Sequence, residues 1–190
     1  MFNNFFKDKE NLIYWDIIPS FNDISNANNK HHKRLKSDLK KLNSWQDDDI
    51  AQFITRKELG KHIEDILNEK FRNNTACFAF DTRYRLVGVV ILQEFDNKTA
   101  NLDYVVLNEK YRNQGLGTRI IKSVKDNLTK ILQSPQYIDT IYTMISDENP
   151  KSQKAFIKNG FYVKPGNNKM SKYSIFMCDL REKEQTSLNL

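Results

Sequence analysis

No run of about eighteen apolar residues occurs in the 190-residue chain, so nothing in it has the make-up of a bilayer-spanning helix. The opening, "MFNNFFKDKENLIYWDIIPS", holds aromatics but no uninterrupted apolar stretch of the kind a secretory leader needs. A cytoplasmic location is expected. Cysteine is almost missing: Cys77 and Cys178 stand in apolar, strand-like runs with no metal-ligand spacing and no histidine nearby to activate a thiolate. They read as buried thiols in a reducing compartment. The histidines are equally few, with His31 and His32 in the basic segment "NNKHHKRLK" and His62 among charged residues, so no metal site is expected. Glycine (6) and proline (4) are scarce beside plentiful asparagine and lysine, a bias that base composition explains as readily as function.

What is present is enough for a folded protein. Hydrophobic residues make up 39% and charged residues 28%, far from the signature of disorder, and the length suits one domain spanning 1–190. The formal charge of +6 favours an anionic partner, yet the positive residues are spread along the chain. A phosphate-bearing cofactor suffices to explain the sign. "KHHKRLKSDLKK" has the charge to grip nucleic acid, but a polar helix face explains it and no recognised nucleic-acid module follows.

Residues 12–18, "LIYWDII", are β-branched and aromatic and end at Pro19, which predicts a strand. Apolar positions at three- and four-residue spacing predict helices over 25–43 and 55–71. The acidic link between them, "NSWQDDDIAQF", reads as an exposed connection, a solvated loop or one whose carboxylates cap the second helix or meet a cationic substrate. From 76 onward "ACFAFD", "LVGVVILQEF" and "ANLDYVVL" form an antiparallel meander. A helix follows, its apolar face made of Ile120, Ile121, Val124, Leu128, Ile131 and Leu132. "YIDTIYTMIS" predicts a strand, "PKSQKAFIKN" a helix, and "FYVK" and "KYSIFMCDL" two more strands. The expected fold is α+β, a mixed, mostly antiparallel sheet of about seven strands flanked by helices in the order βααβββαβαββ.

Between the meander and the next helix lies "YRNQGLGT", residues 111–118. A strand that turns into a helix exposes unpaired backbone N–H groups at the positive end of the helix dipole, where anions collect. Gly115 and Gly117 remove side chains that would block a phosphate, and Arg112 and Thr118 add donors. Neither a Walker loop nor a dinucleotide fingerprint fits, since the Gly-Lys-Ser/Thr and the third glycine are missing. Further on, "ENPKSQKAFIKNGFY" opens with Asn149 as an N-cap and Pro150 at the first helical position, and closes at Gly160.

The meander, the Arg-x-x-Gly-x-Gly loop and the Asn149-to-Phe161 segment together resemble the GNAT family of N-acetyltransferases, over about 76–180 and more loosely over 12–75. The resemblance implies acetyl-CoA as cosubstrate, with Arg112, Asn113, Gln114, Gly115, Leu116, Gly117 and Thr118 around its pyrophosphate. It implies a splayed pair of strands in which the backbone of Val105, Val106 and Leu107 receives the pantetheine arm, with Asn149 and Ser152 beside it. An N–H near Leu107 polarises the thioester carbonyl in this reading.

The partner so implied is an amine acceptor, held by the helices of about 20–75; a homodimer is common among relatives. Acetyl transfer needs a neutral amine and a protonated or stabilised leaving thiolate. Many members place a tyrosine acid where this chain has Phe156, so Tyr142 is the first substitute and Asp103 the leading base, with Glu94 second. The expected activity is acetyl-CoA-dependent N-acetylation of a primary amine on a small molecule, peptide N-terminus or lysine. The alternative that Phe156 motivates is an acyl-CoA-binding sensor or scaffold without turnover.

Overall fold

Residues 76–80 and 86–92 are all buried, so the hairpin they form lies inside the sheet with both faces covered. In the computed structural model the described residues are 5–7, 14–17, 37, 42–45, 63, 65, 74–83, 85–95, 98–132, 137–165 and 172–181. The strands are β1 (Phe5–Lys7), β2 (Tyr14–Ile17), β3 (Asn74–Phe80), β4 (Leu86–Phe95), β5 (Thr99–Leu107), β6 (Thr140–Ser146), β7 (Tyr162–Val163) and β8 (Tyr173–Asp179). The described helices are α1 (Leu116–Asp126), α2 (Leu128–Leu132) and α3 (Pro150–Ile157), with 3-10 turns at Leu42–Trp45 and Glu109–Tyr111.

These strands form an eight-stranded sheet in the order β1-β2-β3-β4-β5-β6-β8-β7. Every neighbouring pair is antiparallel except β5 and β6, which run parallel. The α+β architecture is as the sequence predicts. The additional strand is β1, whose three residues are too short a run to register as a period-two pattern. The helices expected at 25–43 and 55–71 lie outside the described residues, apart from helical Ser37, Ile63 and Asp65 and the turn at Leu42–Trp45.

The helix predicted after the loop is broken at Asn127, which leaves helical geometry (φ −127°) and turns its side-chain amide back to the Ser123 carbonyl at 2.8 Å. Its apolar face nevertheless continues across the break. Ile120, Ile121, Val124, Leu128 and Ile131 pack with Cys77, Val90, Leu102, Ile141, Phe176 and Cys178 on one side of the sheet. Phe156 of α3 joins the same cluster, edge-on to Phe161 at 5.0 Å. Trp15 lies under α1 and donates from Nε1 to Ser123 Oγ at 2.6 Å, satisfying two buried polar atoms at once.

Gly88 explains how closely α1 sits. A Cβ there would lie 2.9 Å from Ile120 Cδ1 and 3.1 Å from the Val106 carbonyl oxygen. A larger residue would lift the helix or spread β4 from β5. On the other side of the sheet Phe78, Val89 and Val106 are also buried, as are Leu42, Trp45 and Ile63 from the preceding segment.

One irregularity positions the site. On β5, Tyr104 pairs with Ile91 and Leu102 with Leu92, so Asp103 is an extra residue with no opposite number on β4. Such a bulge bends its strand and sharpens the local twist. Before it, Thr99–Asn101 pair with Thr140–Tyr142; beyond that register no β5–β6 pairing continues. The two strands part where the bulge falls.

Candidate active site

The loop after β5 is shaped by its own backbone and by one arginine. Asn108 continues the ladder by donating its N–H to the Val87 carbonyl at 3.1 Å, and its side chain accepts from Lys110 N–H. Arg112 is half-buried. Its Nε donates to the Leu107 carbonyl at 3.2 Å and its Nη2 to the Trp45 carbonyl at 2.9 Å. The guanidinium thus braces the loop between a strand end and the segment that links β2 to β3. Asn113 (φ 59°) and Gly115 (φ 76°) take left-handed conformations that turn the chain into α1.

The first α1 bond runs from Arg119 N–H to the Gly115 carbonyl, which leaves the N–H groups of Leu116, Gly117 and Thr118 ahead of it. A Cβ placed on Gly115 would meet nothing within 4 Å. The space beside Gly115 is open. A Cβ on Gly117 would make ordinary contact with Leu107 Cδ1 at 3.4 Å. Gln114 turns back to donate to the Lys110 carbonyl, and the Thr118 carbonyl accepts from Asn159.

Where β5 and β6 part, a cleft with about 140 Å³ of water-accessible space opens. Leu102, Asp103, Tyr104, Val105 and Val106 form one wall and Thr143, Met144, Ile145 and Ser146 the other. Asn149, Ser152 and Phe156 close the α3 end, and Tyr173 reaches in from β8. Asn149 caps α3, its side-chain oxygen accepting from Ser152 N–H at 3.1 Å, while Pro150 occupies the first turn. Capping holds Asn149 and Ser152 side by side at the cleft.

Asp103, Val105, Val106, Asn149 and Ser152 therefore share one cavity, and Arg112 to Thr118 form the loop beyond Leu107. Leu107 lies past the lining, packed on the core. Tyr142 also stands outside the lining: it pairs with Asn101 and sets its ring 5.9 Å from Phe95. Burial pushes its phenol above the usual range and the nearby negative charge of Asp103 adds to the push, so the two groups sense each other. Glu94 pairs with Ala100 and takes the helix-bearing side of β4.

Sequence reasoning did not pick out Tyr104, Thr143 and Tyr173. Tyr104 is displaced onto its face by the bulge, Thr143 interrupts an apolar strand, and Tyr173 comes near only because β8 pairs with β6. Among the described residues no group of three histidine, cysteine or acidic residues comes together as a metal site. No described helix is long and apolar enough to cross a membrane.

A helix start preceded by glycine stands beyond a parted pair of strands, and comparison gives the class. The family profile described as "Acetyltransferase (GNAT) domain" matches residues 33–162, more than half of the chain. The chain belongs to the GNAT acetyltransferase family. Among solved structures it is similar to spermidine N-acetyltransferase from Vibrio cholerae in complex with CoA and spermine. That match has 16% identity and a TM-score of 0.62, covering 77% of this chain and 92% of that one. A chimera of that SpeG enzyme with hSSAT matches at 16% identity and TM-score 0.60, over 82% and 95%. The dodecameric Vibrio cholerae enzyme matches at 16% and 0.59, over 80% and 94%. At such identity the likeness concerns the fold. No curated protein matches the sequence.

Proposed function

We propose that the chain is an acetyl-CoA-dependent N-acetyltransferase acting on a primary amine of a small molecule, a peptide N-terminus or a lysine. The observation that carries this reading is the cleft between β5 and β6, from whose β5 wall the chain runs on through Leu107 into the loop and the start of α1. The residues present fit the cosubstrate. A diphosphate at the start of α1 needs main-chain donors and room, and Gly115 leaves room. A pantetheine arm needs a strand edge from which the neighbouring strand has parted, and the β5–β6 register ends at Asn101 and Tyr142. An N–H of that edge between 103 and 107 polarises the carbonyl, and Asn149 and Ser152 contact the arm.

Asp103 accepts the proton that the amine loses as its nitrogen forms the new bond to the carbonyl carbon and the carbon–sulfur bond breaks. Tyr142, kept in its protonated form by burial and by Asp103, supplies a proton to the departing thiolate through water. The products are the amide and the free thiol. The reading includes one domain over 1–190 in the cytoplasm and self-association as a homodimer, in keeping with similar structures that assemble, such as the dodecameric SpeG.

A thiol-release assay with acetyl-CoA and a panel of amines tests the proposal. Release that depends on amine and protein is expected. Cofactor binding with no release from any amine counts against turnover and favours the sensor reading, whose specific support is Phe156, an apolar residue lining the cleft where family members carry an acid. Turnover that disappears in Asp103→Asn or Tyr142→Phe excludes the sensor.

A further inference from the structure

Residues directly opposite each other on adjacent strands share a face of the sheet. Asn101, Tyr142, Met177 and Tyr162 therefore form one row across β5, β6, β8 and β7. Met144 with Ile175 forms the next row and Ser146 with Tyr173 the one after. Ile141 and Ile145 alternate to the opposite face, where they pack with Phe156 of α3 and the apolar side of α1. The cleft is lined from both faces, by Phe156 and Ile145 on one and by Met144 and Tyr173 on the other. An acyl arm anchored at α1 and passing Asn149 fills the helix side. The acceptor must reach the carbonyl from the other side.

Over β6, β8 and β7 that other side is apolar and open. Met144 is 62% exposed and Tyr162 44%, while Tyr142, Tyr173, Ile175 and Met177 are half-buried. Methionine and aromatic side chains gathered on an open sheet face are the mark of a surface that binds something apolar. Charged groups on the same rows are few among the described residues. Asp103 stands at the cleft itself. Asp179 already accepts from Tyr162 Oη at 2.7 Å and Thr140 Oγ1 at 3.2 Å, and Lys164, next to Ile175, brings a positive charge.

We propose that this wall binds the acceptor, and that the acceptor is an amine with an alkyl or aryl body and one reacting nitrogen, in place of a polyamine. The inference rests on the acetyltransferase reading and narrows its substrate. A polyamine brings a second ammonium along its chain, and moving that charge onto apolar surface costs free energy unless a carboxylate meets it. One ammonium fits beside Asp103. The rest of the molecule then lies against Met144, Tyr173 and Ile175.

The test compares kcat/KM for phenethylamine and for spermidine with acetyl-CoA, in the full chain and in Met144→Glu and Met144→Leu. Phenethylamine is expected to be preferred by about tenfold, the value of one buried apolar contact. Met144→Glu lowers or inverts that ratio and Met144→Leu keeps it, while thermal unfolding confirms that both variants fold. A preference for spermidine, or a ratio that Met144→Glu leaves unmoved, overturns the apolar acceptor and leaves the acetyltransferase reading standing. If no amine turns over, calorimetry of phenethylamine with the CoA-loaded protein decides. Binding lost in Met144→Glu upholds the wall while counting against catalysis, and no binding overturns the wall as well.

Discussion

In the loop beyond Leu107 the groups a ligand would meet are main-chain N–H groups ahead of Arg119; across the sheet, on β6 and β8, they are the side chains of Met144, Tyr173 and Ile175. The loop end depends on backbone conformation, with positive φ at Asn113 and Gly115, and its most conspicuous side chain, Arg112, is spent on protein carbonyls. The β6–β8 end depends on which residues alternate outward. On the proposed function, the first would meet the part common to every acyl-CoA and the second the part that differs between acceptors. Backbone recognition is sensitive to any added atom at the turn, whereas a side-chain wall can be redrawn one residue at a time.

Gly115→Glu breaks the loop end most severely. It places a side chain and a negative charge where the proposed function seats the diphosphate, so acetyl-CoA affinity is expected to fall by about a hundredfold or more, roughly 2.7 kcal/mol by calorimetry. Stability falls less, by about 1–2 kcal/mol for a left-handed non-glycine residue, because the Cβ itself meets open space. Gly115→Ala carries the same conformational cost without the charge and keeps affinity within about tenfold. Equal losses in both variants would show that the turn's shape, not its vacancy, matters to the ligand.

Arg112→Ala sharpens the comparison from the side-chain direction. Removing a half-buried guanidinium that bonds the Leu107 and Trp45 carbonyls is expected to cost about 1–3 kcal/mol in urea unfolding. Affinity for acetyl-CoA falls by less than tenfold once the variant is folded. A large affinity loss at unchanged stability would mean that Arg112 turns to the phosphates when they bind.

The smallest effect belongs to Tyr142 at the other end. Its phenol is raised by burial and by Asp103, so the folded protein holds that proton above the ordinary value of about 10 while the unfolded chain releases it. The associated stability is complete below about pH 10 and declines as pH rises through the folded value. Tyr142→Phe is expected to flatten the alkaline part of a stability-against-pH curve. A curve unchanged by the substitution would remove the phenol from that account.

The loop and the α3 start were legible in the sequence because their signals are local. Glycine at 115, asparagine at 149 and proline at 150 each act on their own or neighbouring backbone, and the structure uses 115 and 149 as left-handed turn and cap. The meander was legible for the same reason, as short apolar runs divided by polar turns. The bulge at Asp103 was not, since it exists only as a mismatch between two strands, and "NLDYVVL" alone does not reveal which residue is the extra one. Nor was the bracing role of Arg112, whose Trp45 partner lies far back in the chain.

The amino-acid sequence by itself determined the elements of the meander, the helix that follows it and the family, because periodicity, caps and glycine positions are properties of neighbouring residues. Only the tertiary structure decided that β5 and β6 separate after Asn101, that Tyr142 feels Asp103, and that Met144, Tyr173 and Ile175 stand together opposite the helices. The physical reason is that strand pairing joins residues distant in the chain. Its register, set by one extra residue, chooses the face each side chain takes.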